Sequence, residues 1–143
     1  KWSATENITW KVDLPYRGNS TPIVWGERIF ITQPLEEAQE RALICLDRLD
    51  GRELWRRTVK YTVAENSHRT NPYCSESPAT DGERVIAVYG SAGVVCYDFK
   101  GKELSKDKAN KNPKLNSKNN VTTANLIERQ IELRKTSSKI SCL

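Results

Sequence analysis

The chain has 143 residues, with 23 Lys and Arg against 18 Asp and Glu, for a formal charge of +5. Residues 105–143 hold nine bases and three acids, a net of +6, which leaves residues 1–104 at −1 and excludes a basic nucleic-acid-binding domain spanning the chain. The length fits one modest domain of about 150 residues, while a hydrophobic share of 37% and a mean hydropathy of −0.67 argue against a large independent core.

No run approaches the roughly 18 apolar residues needed to span a bilayer, so no membrane insertion is expected. Lys1 to Trp10 lacks the apolar stretch of a signal peptide. With no Met and a start at Lys1, the sequence reads as a mature product or a fragment.

Taken in chain order, Thr9-Trp10-Lys11-Val12 resembles Leu54-Trp55-Arg56-Arg57, 45 positions later, and is expected to form a lone closing strand. Thr21-Pro22-Ile23-Val24-Trp25-Gly26-Glu27-Arg28-Ile29-Phe30 recurs as Ser77-Pro78-Ala79-Thr80-Asp81-Gly82-Glu83-Arg84-Val85-Ile86, a shift of 56 positions. After the Gly26-Glu27 turn, Ile29 to Thr32 is a strand of β-branched and aromatic residues. Gln33 to Arg41 reads as a longer charged loop and Ala42 to Leu46 as the next strand. Asp47 to Gly51 then makes a turn, with Asp47 available to bond local backbone, and Leu54 and Trp55 open the last strand.

Asn66 to Cys74 is a polar connector that carries His68, the single histidine. Val85 to Tyr89 and Val94 to Tyr97 repeat the strand pair, joined by Gly90-Ser91-Ala92-Gly93, whose glycines can supply the positive φ of a tight hairpin. Cys96-Tyr97-Asp98-Phe99-Lys100-Gly101-Lys102-Glu103-Leu104-Ser105 matches Cys45 to Trp55 with one turn residue fewer. Lys106 to Asn120 has no apolar alternation and reads as disordered. Thr122 to Lys135 partly fits a short helix, with Leu126, Ile127, Ile131 and Leu133 on one side.

A repeat of about 40 to 50 residues with four strands per unit is the blade of a β-propeller. The blocks Ala42 to Trp55 and Val94 to Leu104 resemble the tryptophan-docking repeat of the pyrroloquinoline-quinone-like (PQQ-like) propellers. Leu14 to Arg28 and Asn71 to Pro78 are similar to the bacterial PQQ-binding-like repeat subgroup. In that family a blade ends in Asp-x-x-Thr-Gly-x-x-x-Trp and the Trp docks on a neighbouring blade. Asp50 stands in place of the Thr here, and Ser105 in place of the second Trp.

The expected fold is therefore all-β: an incomplete propeller of about two four-stranded blades over residues 1–104, plus the N-terminal closing strand and a basic tail over 105–143. Propellers need about four to eight blades to close. Either copies assemble to complete a ring, or the chain is a truncated or frame-shifted product. The break at the docking Trp, inside a repeat, favours truncation.

Candidate functional residues are few. Trp10, Trp55 and Trp25 are candidate ligand-stacking aromatics, and the repeat positions of Trp10 and Trp55 point to blade packing instead. Cys45 and Cys96 occupy equivalent positions, but packed sheets about 10 Å apart are too distant for a disulfide. With Cys74 and Cys142 they are expected to be free thiols.

His68 and Cys74 form a possible nucleophile or metal pair with no orienting acid at a diagnostic spacing; a surface or loop-packing role for His68 is the simpler expectation. Asn7-Ile8-Thr9, Asn19-Ser20-Thr21 and Asn120-Val121-Thr122 match the glycosylation acceptor pattern. The Lys- and Asn-rich tail offers, as an alternative function, non-specific binding to nucleic acid or an anionic surface by counterion release; it lacks interleaved aromatics and base-reading motifs, so it predicts a solvated segment and no specific nucleic-acid partner.

No catalytic, cofactor-binding or metal-binding residue is assigned. The resemblance implies a non-enzymatic scaffold or protein-interaction module, with protein partners or self-association completing the propeller, in the periplasm or outside the cell. It also leaves a PQQ-dependent oxidoreductase fragment as the alternative; the adjacent Cys pair and calcium-binding carboxylates of those enzymes have no counterpart here. Fold resemblance alone does not carry activity.

Overall fold

A computed structural model describes residues 3, 5–14, 16–62, 68, 70 and 73–107. These fall within one compact body, Lys1–Ala109. The proposed tail helix, Cys142 and the Asn120 acceptor site lie outside the described residues.

Two antiparallel four-stranded sheets follow one another along the chain. The first contains β1 (Ile23–Trp25), β2 (Arg28–Leu35), β3 (Glu40–Asp47) and β4 (Glu53–Lys60) in the order β1-β2-β3-β4. The second contains β5 (Ala79–Thr80), β6 (Arg84–Val88), β7 (Val94–Asp98) and β8 (Glu103–Asp107) in the order β5-β6-β7-β8. The architecture is that of an incomplete propeller.

The repeat reaches into the backbone detail. Register shifts fall at Cys45/Leu46 in the first sheet and at the equivalent Cys96/Tyr97 in the second. Both β3–β4-type turns are held by their Asp. Asp47 Oδ1 accepts from Leu49 N, and Asp98 Oδ1 accepts from Lys100 N and Lys102 N. One residue fewer in the second turn leaves this capping intact. Between β6 and β7, Gly90–Ala92 forms a single 3-10 turn, with positive φ at its first residue, Gly90, and at Gly93 just after it, as the hairpin demands.

Three features differ from the sequence reading. The charged stretch Gln33 to Arg41 is not a long loop: β2 continues to Leu35 and β3 begins at Glu40. Apolarity ends at Thr32, but the ladder continues because the polar groups beyond it find partners. Ser20 Oγ accepts from Thr32 N, and Gln33 Oε1 accepts from Tyr16 N. The segment around Trp10, expected as a closing strand, forms no ladder among the described residues. Side-chain contacts hold Trp10 instead.

Alternate residues of the first sheet serve two cores. Phe30, Leu43, Cys45 and Val59 face the second sheet and bury against Val85, Ala87, Tyr89, Val95 and Tyr97. Ile31, Ala42, Ile44 and Leu46 form a separate buried cluster on the opposite face. In the second sheet, Ile86, Val88 and Val94 on the face away from the first sheet are only half-buried. Strand pairing in β8 continues to Asp107, so Lys106 and Asp107, expected from composition to begin a disordered stretch, are strand because their backbone pairs with Val95 and Val94; the rest of that stretch lies outside the described residues.

Candidate functional site

The densest chemistry lies along the seam between the sheets. Trp55 on β4 points across it: its indole N–H donates to the Phe99 carbonyl at 2.9 Å, and its ring covers Gly101 so closely that a Cβ there would sit 2.9 Å from Cδ2. Gly101 has φ +79, which the turn requires and a side chain would resist. Phe30, Tyr97 and Phe99 complete an aromatic cluster, with Phe30 ring centroids 5.9 Å from Trp55 and 5.1 Å from Phe99 and the Trp55–Tyr97 centroids 6.2 Å apart. Arg57 donates from Nε to the Gly101 carbonyl beside them.

Trp10 makes the same pair of contacts one unit earlier. Its indole N–H donates to the Arg48 carbonyl at 2.9 Å, and its ring lies against Gly51, where a Cβ would collide with Cε3. Trp25 repeats the theme from the end of β1, lying over Gly82 with Cζ2 2.6 Å from a would-be Cβ. That contact had no sequence signal, because Trp25 aligns with Asp81 in the repeat. Opposite Cys96, where Trp55 stands opposite Cys45, the second sheet has Ser105; opposite Val94, where Arg57 stands opposite Leu43, it has Asp107.

Polar groups also cross the seam. Thr32 Oγ1 donates to the Glu76 carbonyl at 2.9 Å, and Ser77 Oγ accepts from Thr21 N at 3.0 Å. These bonds pair backbone groups where the chain enters the second sheet.

The remaining candidate residues are dispersed. His68 is exposed, with Nδ1 2.8 Å from Thr70 Oγ1, whereas Cys74 is buried in the inter-sheet core at φ +57. The exposed ring and the buried thiol occupy different environments, and the structure does not assemble them into a nucleophile site. Asn7 is exposed and has φ +62, while Asn19 donates to the Thr70 carbonyl.

Cys45, Cys74 and Cys96 are buried thiols, not disulfides. Burial pushes the Cys45 and Cys96 thiols up, in Cys45 against the opposing influence of Arg28, so neither is an activated thiolate. Burial also pushes Tyr89 well above the ordinary phenol range and Tyr97 up to about 12.

A calcium–quinone group would need converging carboxylates. The turn acids are committed to their own turns: Asp47 and Asp98 as above, and Asp81 through Glu83 N and Arg84 N. Among the described residues no three His, Cys, Asp or Glu side chains gather to hold a metal ion. The described residues do not fit that cofactor. Among them, too, no helix is long and apolar enough to cross a membrane.

The repeated sheets and their seam agree with a comparison of the sequence against protein families. The profile of a family described as outer membrane protein assembly factor BamB matches residues 1–139. The chain belongs to this PQQ-like β-propeller repeat family. The match runs 35 residues past Leu104, so the PQQ-like assignment takes in the strand residues Ser105 to Asp107 and much of the basic segment. Comparison with curated proteins gave no match.

Proposed function

We propose that this PQQ-like propeller module is non-enzymatic: a scaffold whose partners are proteins. The observation that carries the reading is the use made of its distinctive side chains. Trp10, Trp25 and Trp55 are spent on glycine turns, and the turn carboxylates on their own backbone, which leaves these groups to build a surface and not to do chemistry. We read Trp10 on Gly51 and Trp55 on Gly101 as the docking contacts of the family repeat.

The family description names a factor of outer membrane protein assembly, and from it we take protein partners and a periplasmic setting for this chain. The half-buried face of Ile86, Val88 and Val94 is where a further unit, or a second copy, would extend the propeller.

The direct test mixes the purified chain with PQQ and calcium and follows titration heat and dye reduction with alcohol and sugar substrates. Neither binding tighter than millimolar nor turnover is expected. Micromolar binding with dye reduction would establish the oxidoreductase reading in its place.

A further inference from the structure

Arg41 is a cation buried to 2% exposure on β3, a central strand whose neighbouring core positions are aliphatic or Cys. By strand alternation it shares the face of Leu43 and Cys45, toward the second sheet. Its guanidinium carbon lies 3.9 Å from the ring centroid of Tyr61 and 4.0 Å from that of Tyr73, while the two rings are 6.3 Å from each other. One planar cation thus touches the two tyrosines that bracket the connector between the sheets. Tyr61 follows β4 directly and is fixed by its N–H to the Gln39 carbonyl; Tyr73 precedes the buried Cys74.

We infer that Arg41 is a positioning residue, a latch that gathers both ends of the 61–73 connector onto one guanidinium. Three physical points support this role. Burying a cation is costly unless it is compensated, and stacking on two aromatic faces is a compensation suited to Arg and not to the more strongly hydrated Lys. Connectors between strands are where binding residues concentrate, and this one bears the exposed His68. Finally, the latch is no part of the repeat: Arg41 aligns with Ala92 in the second unit, so blade architecture does not require it.

The test is hydrogen exchange on the full chain, comparing peptides that cover residues 61–75 with peptides from β2, β3, β6 and β7. In Arg41→Met the 61–75 peptides are expected to exchange at least tenfold faster while the strands change less than twofold. Arg41→Lys, which keeps the charge and loses the planar stack, is expected to behave like Arg41→Met. Tyr73→Leu gives the same readout from the other side of the contact should Arg41→Met fail to fold. Unchanged exchange at 61–75, full rescue by Lys, or acceleration spread equally over the strands in the variants that fold would overturn the latch. Loss of folding in both Arg41→Met and Tyr73→Leu would also overturn it, by making Arg41 a general core residue.

Discussion

A methyl group on Gly51 would run into the Trp10 ring, and the backbone there is left-handed at φ +76. Gly26 is also left-handed, at φ +56, but nothing lies within 4 Å of a would-be Cβ. The pair separates two costs that glycine substitutions usually mix. Gly26→Ala should lose about 1 kcal/mol, the backbone penalty alone. Gly51→Ala should lose about 2–4 kcal/mol, because overpacking against the indole is added. Urea unfolding of the two variants checks this, and equal losses would mean that the Trp10 contact contributes nothing.

Titration gives a second prediction at this scale. A tyrosine or thiol whose folded pKa is raised contributes stability that is present below its unfolded pKa and lost as pH rises toward the folded value. Stability should therefore decline from about pH 9, where unfolded thiols ionise, and fall more steeply from about pH 10 as unfolded tyrosines follow. For Tyr97 the decline extends to about 12. Tyr97→Phe should flatten the upper part of this decline in thermal melts taken at stepped pH. The acid side runs the other way: the Leu49 amide, then Arg52, hold the Asp47 carboxyl below its ordinary range, so its contribution is lost as pH falls through that lowered value.

Among the elements, the strands were legible where the residues are β-branched or aromatic, and the recurrence of Pro, Gly, Glu and Arg after 56 positions located the turns. Where a strand carries a polar residue and a proline, as at Gln33 and Pro34, composition pointed to a loop, because it is blind to the Tyr16 and Ser20 partners beside them. The site was legible to the extent that it repeats. Trp10 and Trp55 announced themselves by position, while Trp25 over Gly82 and the Tyr61–Arg41–Tyr73 contact have no counterpart in the other unit and left no pattern to find.

Trp55 ties β4 to the turn before β8 by two means, an indole hydrogen bond and ring burial. Trp55→Phe keeps most of the ring and loses the bond to Phe99, so chemical denaturation should show a loss of about 1 kcal/mol. Trp55→Ala loses both and should cost about 3–5 kcal/mol. A Phe variant as damaged as the Ala variant would show that ring shape matters more than the ring's burial.

At the scale of the molecule, the two sheets share one core through Phe30, Leu43, Val85, Val95 and Tyr97. In a stack of repeats, stability is the sum of each unit and its interface with its neighbour. The seam residues therefore decide whether the sheets unfold together. The second unit has Ser105 and Asp107 at the register positions of Trp55 and Arg57, so its outward face cannot repeat this seam with the same side chains.

The most direct measurement of the central claim, that an indole seated on a turn glycine joins one unit to the next, is a double-mutant cycle between Trp55→Leu and Gly101→Ala by equilibrium urea unfolding. In the native background Gly101→Ala carries both the left-handed backbone penalty and the clash with the ring; with Leu at position 55 only the backbone penalty remains. The predicted coupling is about 1–3 kcal/mol, with Gly101→Ala the more harmful change when Trp55 is present. Losses that add to within about 0.5 kcal/mol would contradict the claim.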